Sequence, residues 1–230
     1  HPERRYITVC HLATGVCRDE PYDTLIVSSG ALPIVPPIPG TDLSGVFTLK
    51  TLSDGERIKA ALSRPEVAHV AIIGGGYIGL ELAEACILQG KTVRLIEAMP
   101  HLLNGFDEEF RHAVAGELTS HGVAVHTGAA VREILGDGRV QHVDCAEAQY
   151  PADMVIMAIG VRPNTSFIDR SAIRMEANGA LTTDGAMRTS APDVYAVGDC
   201  STVMHKILRR PVYIPLGTNA NKQGRRRILC

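Results

Sequence analysis

The chain has 230 residues, 45% of them apolar and 21% charged, with a formal net charge of −2. This is the balance of a globular protein with room for one large domain or two modest ones. The near-neutral charge favours neither a nucleic-acid nor an anionic-membrane partner, and no apolar run approaches the roughly 20 residues that a membrane helix needs.

No secretory signal is present, but the chain opens at His1 rather than a methionine, so its true N-terminus is expected upstream. Six cysteines stand at 10, 17, 86, 145, 200 and 230, and no two are spaced CxxC. That usage points to a reducing cytoplasm rather than a disulfide framework, and no metal site is read.

In chain order, residues 6–12 and 16–19 flank the turn Ala13-Thr14-Gly15 and predict a short hairpin. Cys10 and Cys17 fall on its two arms. We read them as plain hairpin residues, with a catalytic cysteine pair as the alternative. Residues 22–30 (YDTLIVSSG) predict a buried strand ending in small residues. Four prolines within residues 32–40 then exclude a helix or a central strand and predict an extended connector, with a domain boundary soon after it. Residues 53–63 carry helical periodicity with Asp54 near the start.

Residues 70–84 read VAIIGGGYIGLELAE. An apolar strand run at 70–73 leads into Gly74, Gly76 and Gly79 at GxGxxG spacing, and apolar residues continue at helical spacing through Ile87. Gly74 permits a tight turn, Gly76 lets backbone approach a pyrophosphate, and Gly79 lets helix pack closely on strand. The helix N-terminus then offers free N–H groups and a positive dipole end to the diphosphate. A second strand, residues 92–96, ends in Glu97, eighteen residues past Gly79, where an acid can bind a ribose diol. Strand, turn, helix and acid together predict a dinucleotide site.

Further on, Asp107 is a candidate N-cap for a helix to about Ser120, with Glu108 and Glu109 in its first turn. Gly122 ends that helix, and residues 123–126 predict a third parallel strand. Residues 131–135 and 140–145 around Gly136-Asp137-Gly138 predict an antiparallel hairpin, and residues 153–159 another buried strand closing on Gly160. The pattern βαβαβ, antiparallel excursion, last strand describes a nucleotide-binding domain at about 48–167. Small β elements follow, then an apolar strand at 194–197 ending in Gly198-Asp199.

Several of these segments, in the same order, resemble the flavin-dependent pyridine nucleotide–disulfide oxidoreductases. They are YDTLIVSSGALP, the connector to PIPG, IIGGGYIGLELAE, the strand ending at Glu97, AIGVRPNT at 158–165, TSAPDVYAVGDC at 189–200 and YIPLGTNANKQGR at 213–225. Within that family the coenzyme A-disulfide reductase, NADH oxidase and NADH peroxidase branch looks most similar. The resemblance implies an α/β fold in which a Rossmann-like NAD-binding domain, a parallel sheet with a small antiparallel meander, is inserted in an incomplete FAD-binding domain. The FAD segments would be residues 1–47 and 168–230, flanking the NAD domain at 48–167. It implies FAD near Ser29 and Gly30, with Gly198 and Asp199 binding its ribityl chain and Leu216, Gly217 and Thr218 preceding a helix aimed at the ring. Ser28-Ser29 stands where alanine-threonine is usual, which keeps one hydroxyl. Tyr77, Ile78 and Glu81 would line the nicotinamide pocket, with core packing as the alternative for Tyr77. Gly160 and Val161 would form a loop close to the nucleotide.

Two expected parts have no counterpart here. A second GxGxxG, for FAD, is absent before Gly74, and the redox cysteine is expected upstream of His1, so no catalytic residue is read in this chain. The family's C-terminal dimerisation domain is likewise missing, and three arginines at 225–227 replace the usual small residues. The resemblance therefore implies an internal segment of a cytoplasmic, homodimeric flavoenzyme, inactive by itself. NADH, preferred over NADPH because of Glu97, would reduce FAD, and the electrons would pass through a cysteine centre to a small disulfide, peroxide or oxygen. The alternatives are a ferredoxin or rubredoxin reductase-like flavoenzyme and a non-catalytic NAD-binding module.

Overall fold

The computed structural model describes residues 1–228, with side chains to Arg225; the C-terminal Leu229 and Cys230, and the side chains of Arg226, Arg227 and Ile228, lie outside the described residues. The chain divides into two compact units. One is Pro33–Gly160; the other combines His1–Leu32 with the chain from Val161 onward.

The first passage of the divided unit opens with the hairpin β1 (Tyr6–Cys10) and β2 (Cys17–Pro21), paired antiparallel from Tyr6↔Pro21 to Cys10↔Cys17. The last of these pairs overturns the reading of two plain hairpin residues: Cys10 and Cys17 form a disulfide, their Cα atoms 4.0 Å apart. β3 (Leu25–Val27) is three residues long where nine were expected, because Ser28, Ser29 and Gly30 leave the extended ladder and Gly30 takes φ 70°. β4 (Ala31–Pro33) follows.

In the continuous unit, β5 (Val46–Thr48) leads to α1 (Leu52–Leu62), which Thr51 and Asp54 start with a reciprocal capping box. β6 (His69–Ile73), α2 (Tyr77–Leu88), β7 (Thr92–Glu97), α3 (Glu108–Ser120) and β8 (Ala124–Thr127) then alternate as the sequence predicts. Asp107 occupies the N-cap of α3 without a side-chain cap bond. Next come β9 (Val131–Gly136), β10 (Val140–Cys145) and β11 (Gln149–Pro151), a three-stranded antiparallel meander, and β12 (Met154–Met157). The main sheet is wholly parallel in the order β5-β12-β6-β7-β8. Successive strands go one way from β6 to β8, while β12 returns to its other side, so the direction of winding reverses between β6 and β12.

Helices cover one face and the meander the other, so both faces of the central strands are buried and the strands are apolar on both sides. Ile72, Leu95, Met154 and Ile156 lie in the helix-side core with Leu82, Ala83 and the free thiol of Cys86. Ala71, Ile73, Ile96 and Val155 face Ile134, Val140 and Val143 of the meander. Val46 and Leu43 pack against that second core, and the compact unit that holds it runs from Pro33 to Gly160.

The chain then returns through β13 (Val161–Pro163), paired with β4, and β14 (Val194–Ala196), parallel to β3 with Leu25 opposite Val194. The hairpin β15 (Val203–His205) and β16 (Arg210–Val212) and the helix α4 (Gly217–Ile228) complete the unit. Val27, Leu181, Val194, Ala196 and Cys200 form its core.

Candidate dinucleotide-binding sites

In the continuous unit three loops leave the carboxyl ends of neighbouring parallel strands at the winding reversal. Gly74 ends β6 at φ 114°, and a Cβ on it would strike the Ala158 carbonyl at the end of β12. A Cβ on Gly79 would strike the Gly74 carbonyl, so this glycine lets the first turn of α2 sit on the loop. Gly76 differs. Its φ is −87°, open to any residue, and beyond its own local backbone no atom of the described residues lies within 4 Å of where its Cβ would be. The glycine there leaves room in front of the helix rather than inside the protein. α2 has Gly76 as N-cap, no side-chain cap bond and no acid in its first turn, so its positive end carries no built-in anion.

Glu97, at the end of β7, is half-buried. Its Oε2 accepts the Gly75 N–H at 2.6 Å and its Oε1 the Met99 N–H at 2.7 Å. Each oxygen keeps a further lone pair. Leu103 N–H donates to the Gly75 carbonyl at 3.0 Å, and Leu102 is buried against Gly75, so the segment after β7 is folded onto the glycine loop.

Tyr77 is 59% exposed and meets the ring of Phe106 edge-on at 5.9 Å, so it is not a core tyrosine. Ile78 is half-buried against the helix-side core and Glu81 is exposed on α2. Gly160, at φ 112°, ends the unit, and its carbonyl accepts the Ile34 N–H. Sequence reasoning missed Gly75, Met99 and Phe106. The third glycine of the run was a visible signal; nothing in the pattern marked Phe106 as a partner of Tyr77.

In the divided unit, the segments after β3 and β14 emerge side by side, tied by the Val197 N–H to the Val27 carbonyl at 3.0 Å. This brings Ser29 and Gly30 to the same strand ends as Gly198 and Asp199. The Ser29 hydroxyl donates to the Asn164 carbonyl at 2.7 Å, so it offers a ligand a lone pair. Gly198, at φ 79°, donates its N–H to Gln223 Oε1 at 2.7 Å, which fixes α4 to this loop. Tyr213 donates its hydroxyl to the Asp199 carbonyl at 3.0 Å, and burial, first, then Asp199 push that phenol up to about 12. Leu216, Gly217 and Thr218 are exposed at the start of α4. Val161 opens β13. A cavity of about 500 Å³ borders Ile26, Val27, Ser28, Ser29 and Tyr22, and the buried Tyr22 hydroxyl has no hydrogen bond among the described residues. Glycines at positive φ, a carboxylate and a helix N-terminus at parallel strand ends are a donor set that suits a second dinucleotide with a polyol arm.

Fold and sites together define an α/β protein of the dinucleotide-binding class. The family model described as pyridine nucleotide-disulphide oxidoreductase matches residues 2–224, and the chain belongs to that family. It is 37% identical over 221 residues to an NADH oxidase of Enterococcus faecalis, covering 95% of this chain and 49% of that protein. It is 39% identical over 204 residues to a CoA-dependent NAD(P)H sulfur oxidoreductase of Pyrococcus abyssi, covering 88% and 46%. The water-forming NADH oxidase of Lactobacillus brevis, solved with NADH bound, superposes with a TM-score of 0.89 at 35% identity over 97% of this chain and 49% of that one. The chain thus spans about half the length of the relatives it matches.

Proposed function

We propose that this chain supplies the nicotinamide-nucleotide site and part of the flavin site of an NAD(P)H-dependent oxidoreductase whose acceptor is oxygen or a small disulfide or persulfide. The observation that carries the reading is the open space in front of Gly76, bounded by the uncapped start of α2 and by Glu97. The helix end and loop amides would hold the diphosphate, and the Glu97 carboxylate would accept hydroxyl protons of the adenosine ribose. Tyr77 and Phe106, both exposed, offer rings beside that space. NADH is the preferred coenzyme in this proposal, because Glu97 would meet the 2′-phosphate of NADPH and residues 98–103 include no lysine or arginine.

The flavin would be held at Ser29, Gly30, Gly198, Asp199 and the start of α4. When bound, it supplies the two-electron step between the dihydronicotinamide and the acceptor. The chain's own part is to bind and orient each group at the strand ends of its own unit. The NADH oxidase and sulfur oxidoreductase relatives support oxygen or a sulfur species as acceptor. The proposal extends to a homodimeric whole protein in the cytoplasm. No helix among the described residues is long and apolar enough to cross a membrane, and the free thiols of Cys86, Cys145 and Cys200 suit a reducing compartment, in which the exposed Cys10–Cys17 bridge would be open to reduction. The test is to mix the full-length protein with NADH anaerobically and follow oxidised-flavin absorbance. Bleaching that Gly76→Val abolishes while flavin content is unchanged supports the reading. Bleaching that survives Gly76→Val, or a protein that takes up no flavin, overturns it.

A further inference from the structure

The hairpin disulfide has little structural work to do. β1 and β2 are joined by a five-pair ladder, and Thr8 Oγ1 donates to Asp19 Oδ1 across it at 2.8 Å. At its base Arg5 binds the Asp23 carbonyl at 2.6 Å and the Asp193 carboxylate at 2.7 Å. The bridge closes a sequence separation of only seven residues, so it removes less chain entropy from the unfolded state than a bridge across a long loop would. Both cysteines are exposed, and nearly every residue of the two strands is exposed with them, so the bridge pins no core.

The same geometry suits exchange. The His11 N–H bonds the Val16 carbonyl at 2.9 Å, which makes the preceding Cys10↔Cys17 position a non-hydrogen-bonded pair, where strands bring opposed Cα atoms closest. The ladder therefore holds the two sulfurs in reach in either redox state, and opening the bond costs no backbone contact. The remaining described cysteines, Cys86, Cys145 and Cys200, are free and buried, so none competes for the bridge. Burial also pushes the Cys86 thiol up to about 11, away from the thiolate that exchange requires.

We infer that Cys10 and Cys17 form a solvent-accessible dithiol–disulfide couple that exchanges with low-molecular-weight thiols and their disulfides. A small thiolate attacks the Cys17 sulfur, forming a mixed disulfide as the Cys10–Cys17 bond breaks; the Cys10 thiolate leaves and takes a proton from water. A second small thiolate attacks the small-molecule sulfur of that mixed disulfide, releasing the small disulfide and a Cys17 thiolate, which is protonated. Two small thiols are oxidised by two electrons and the protein bridge is reduced by two. The reverse reaction, driven by the small disulfide, closes the bridge again.

The experiment equilibrates the full-length protein in glutathione buffers of graded ratio, quenches with acid, alkylates under denaturing conditions and digests with trypsin. Cleavage after Arg5 and Arg18 puts both cysteines on one peptide, residues 6–18. The expected result is a peptide with no alkyl groups or two, the two-label to no-label ratio rising tenfold for each tenfold rise in reduced glutathione squared over oxidised glutathione. Two labels at every ratio, or none at any, overturns the inference. In Cys10→Ser, oxidised glutathione should leave a glutathione adduct on Cys17; absence of the adduct overturns it as well. Alkylation before denaturation checks folding, because Cys86, Cys145 and Cys200 stay unlabelled in a folded chain. If the variant fails that check, the wild-type titration still decides.

Discussion

The carboxylate of Glu97 accepts the backbone N–H of Gly75 at 2.6 Å, binding the end of β7 to the glycine loop that ends β6. Its other oxygen holds the Met99 N–H. One side chain therefore fixes the loop and faces the position proposed for the adenosine ribose. Glu97→Gln leaves one amide donor facing a carboxamide donor, at a cost of about 1–2 kcal/mol in unfolding free energy, read by denaturant titration. Wild type should bind NADH at least about tenfold tighter than NADPH, since like charges at close range repel by about 1 kcal/mol in water and about 4 kcal/mol near a protein surface. The variant should narrow that gap. Equal affinities in the wild type would remove Glu97 from coenzyme selection.

The glycines separate loop architecture from ligand room. Gly79→Ala drives a methyl group into the Gly74 carbonyl and should cost about 1–3 kcal/mol of stability. Gly76→Ala meets open space at an ordinary φ, so stability should change by less than about 0.5 kcal/mol. NADH affinity should nevertheless fall at least about tenfold, because the methyl group enters the space assigned to the diphosphate. Fluorescence titration of NADH beside thermal melting reads both. Undiminished NADH binding in Gly76→Ala would move the diphosphate elsewhere.

Tyr77 lies outside the core, and its one ring contact among the described residues is with Phe106. Tyr77→Ala should therefore cost only about 0.5–1.5 kcal/mol, the worth of an aromatic pair, rather than the 3–5 kcal/mol or so of a buried aromatic truncation. The rate at which NADH reduces the flavin of the intact enzyme should change while flavin content stays constant. Stopped-flow absorbance measures the rate. A large stability loss with an unchanged rate would make Tyr77 a packing residue.

On the meander side of the sheet, Arg94 Nε donates to His126 Nε2 at 3.1 Å, with the guanidinium 4.1 Å from the Tyr150 ring centre. Burial, and then the Arg94 charge, hold the His126 imidazole below its ordinary pKa of 6.5. The folded state thus favours the neutral ring. The stability this contributes is fully present above about pH 6.5 and is lost as the pH falls toward the depressed folded value. His126→Gln keeps an acceptor for Arg94 and does not titrate. Its unfolding free energy should fall less than that of wild type between about pH 7 and about pH 5. Identical pH profiles would show that His126 carries none of the acid sensitivity.

The glycine loop, α2 and Glu97 could be read in the sequence because their spacing is local and each residue has a separate steric or chemical reason. The parallel strands β6 and β12 are apolar runs buried on both faces, the strongest strand signal available. Shorter strands escaped. β5 and β11 are three residues each, and β16 has Pro211 in its middle, tolerated because β15 and β16 pair only with each other. The Cys10–Cys17 bridge was hidden for a different reason: spacing put the residues on two arms, but only the register puts them opposite. Gln223 and Asn164, which tie α4 and the Ser29 loop in place, bond across long stretches of sequence and leave no local pattern.

The core of the divided unit joins residues that are far apart in the chain. The Cys200 thiol donates to the Val27 carbonyl across 173 residues, with the whole of Pro33–Gly160 between them. A free chain of that length closes such a contact slowly and at a high entropic cost. If the intervening unit collapses first, the closure is made by a short tether in place of a long coil. During synthesis β3 leaves the ribosome long before β14 exists to pair with it. The order of assembly expected from this topology has Pro33–Gly160 acquire amide protection first, with Leu25–Val27 open to exchange until β14 arrives; pulse-labelling hydrogen exchange during refolding reads it.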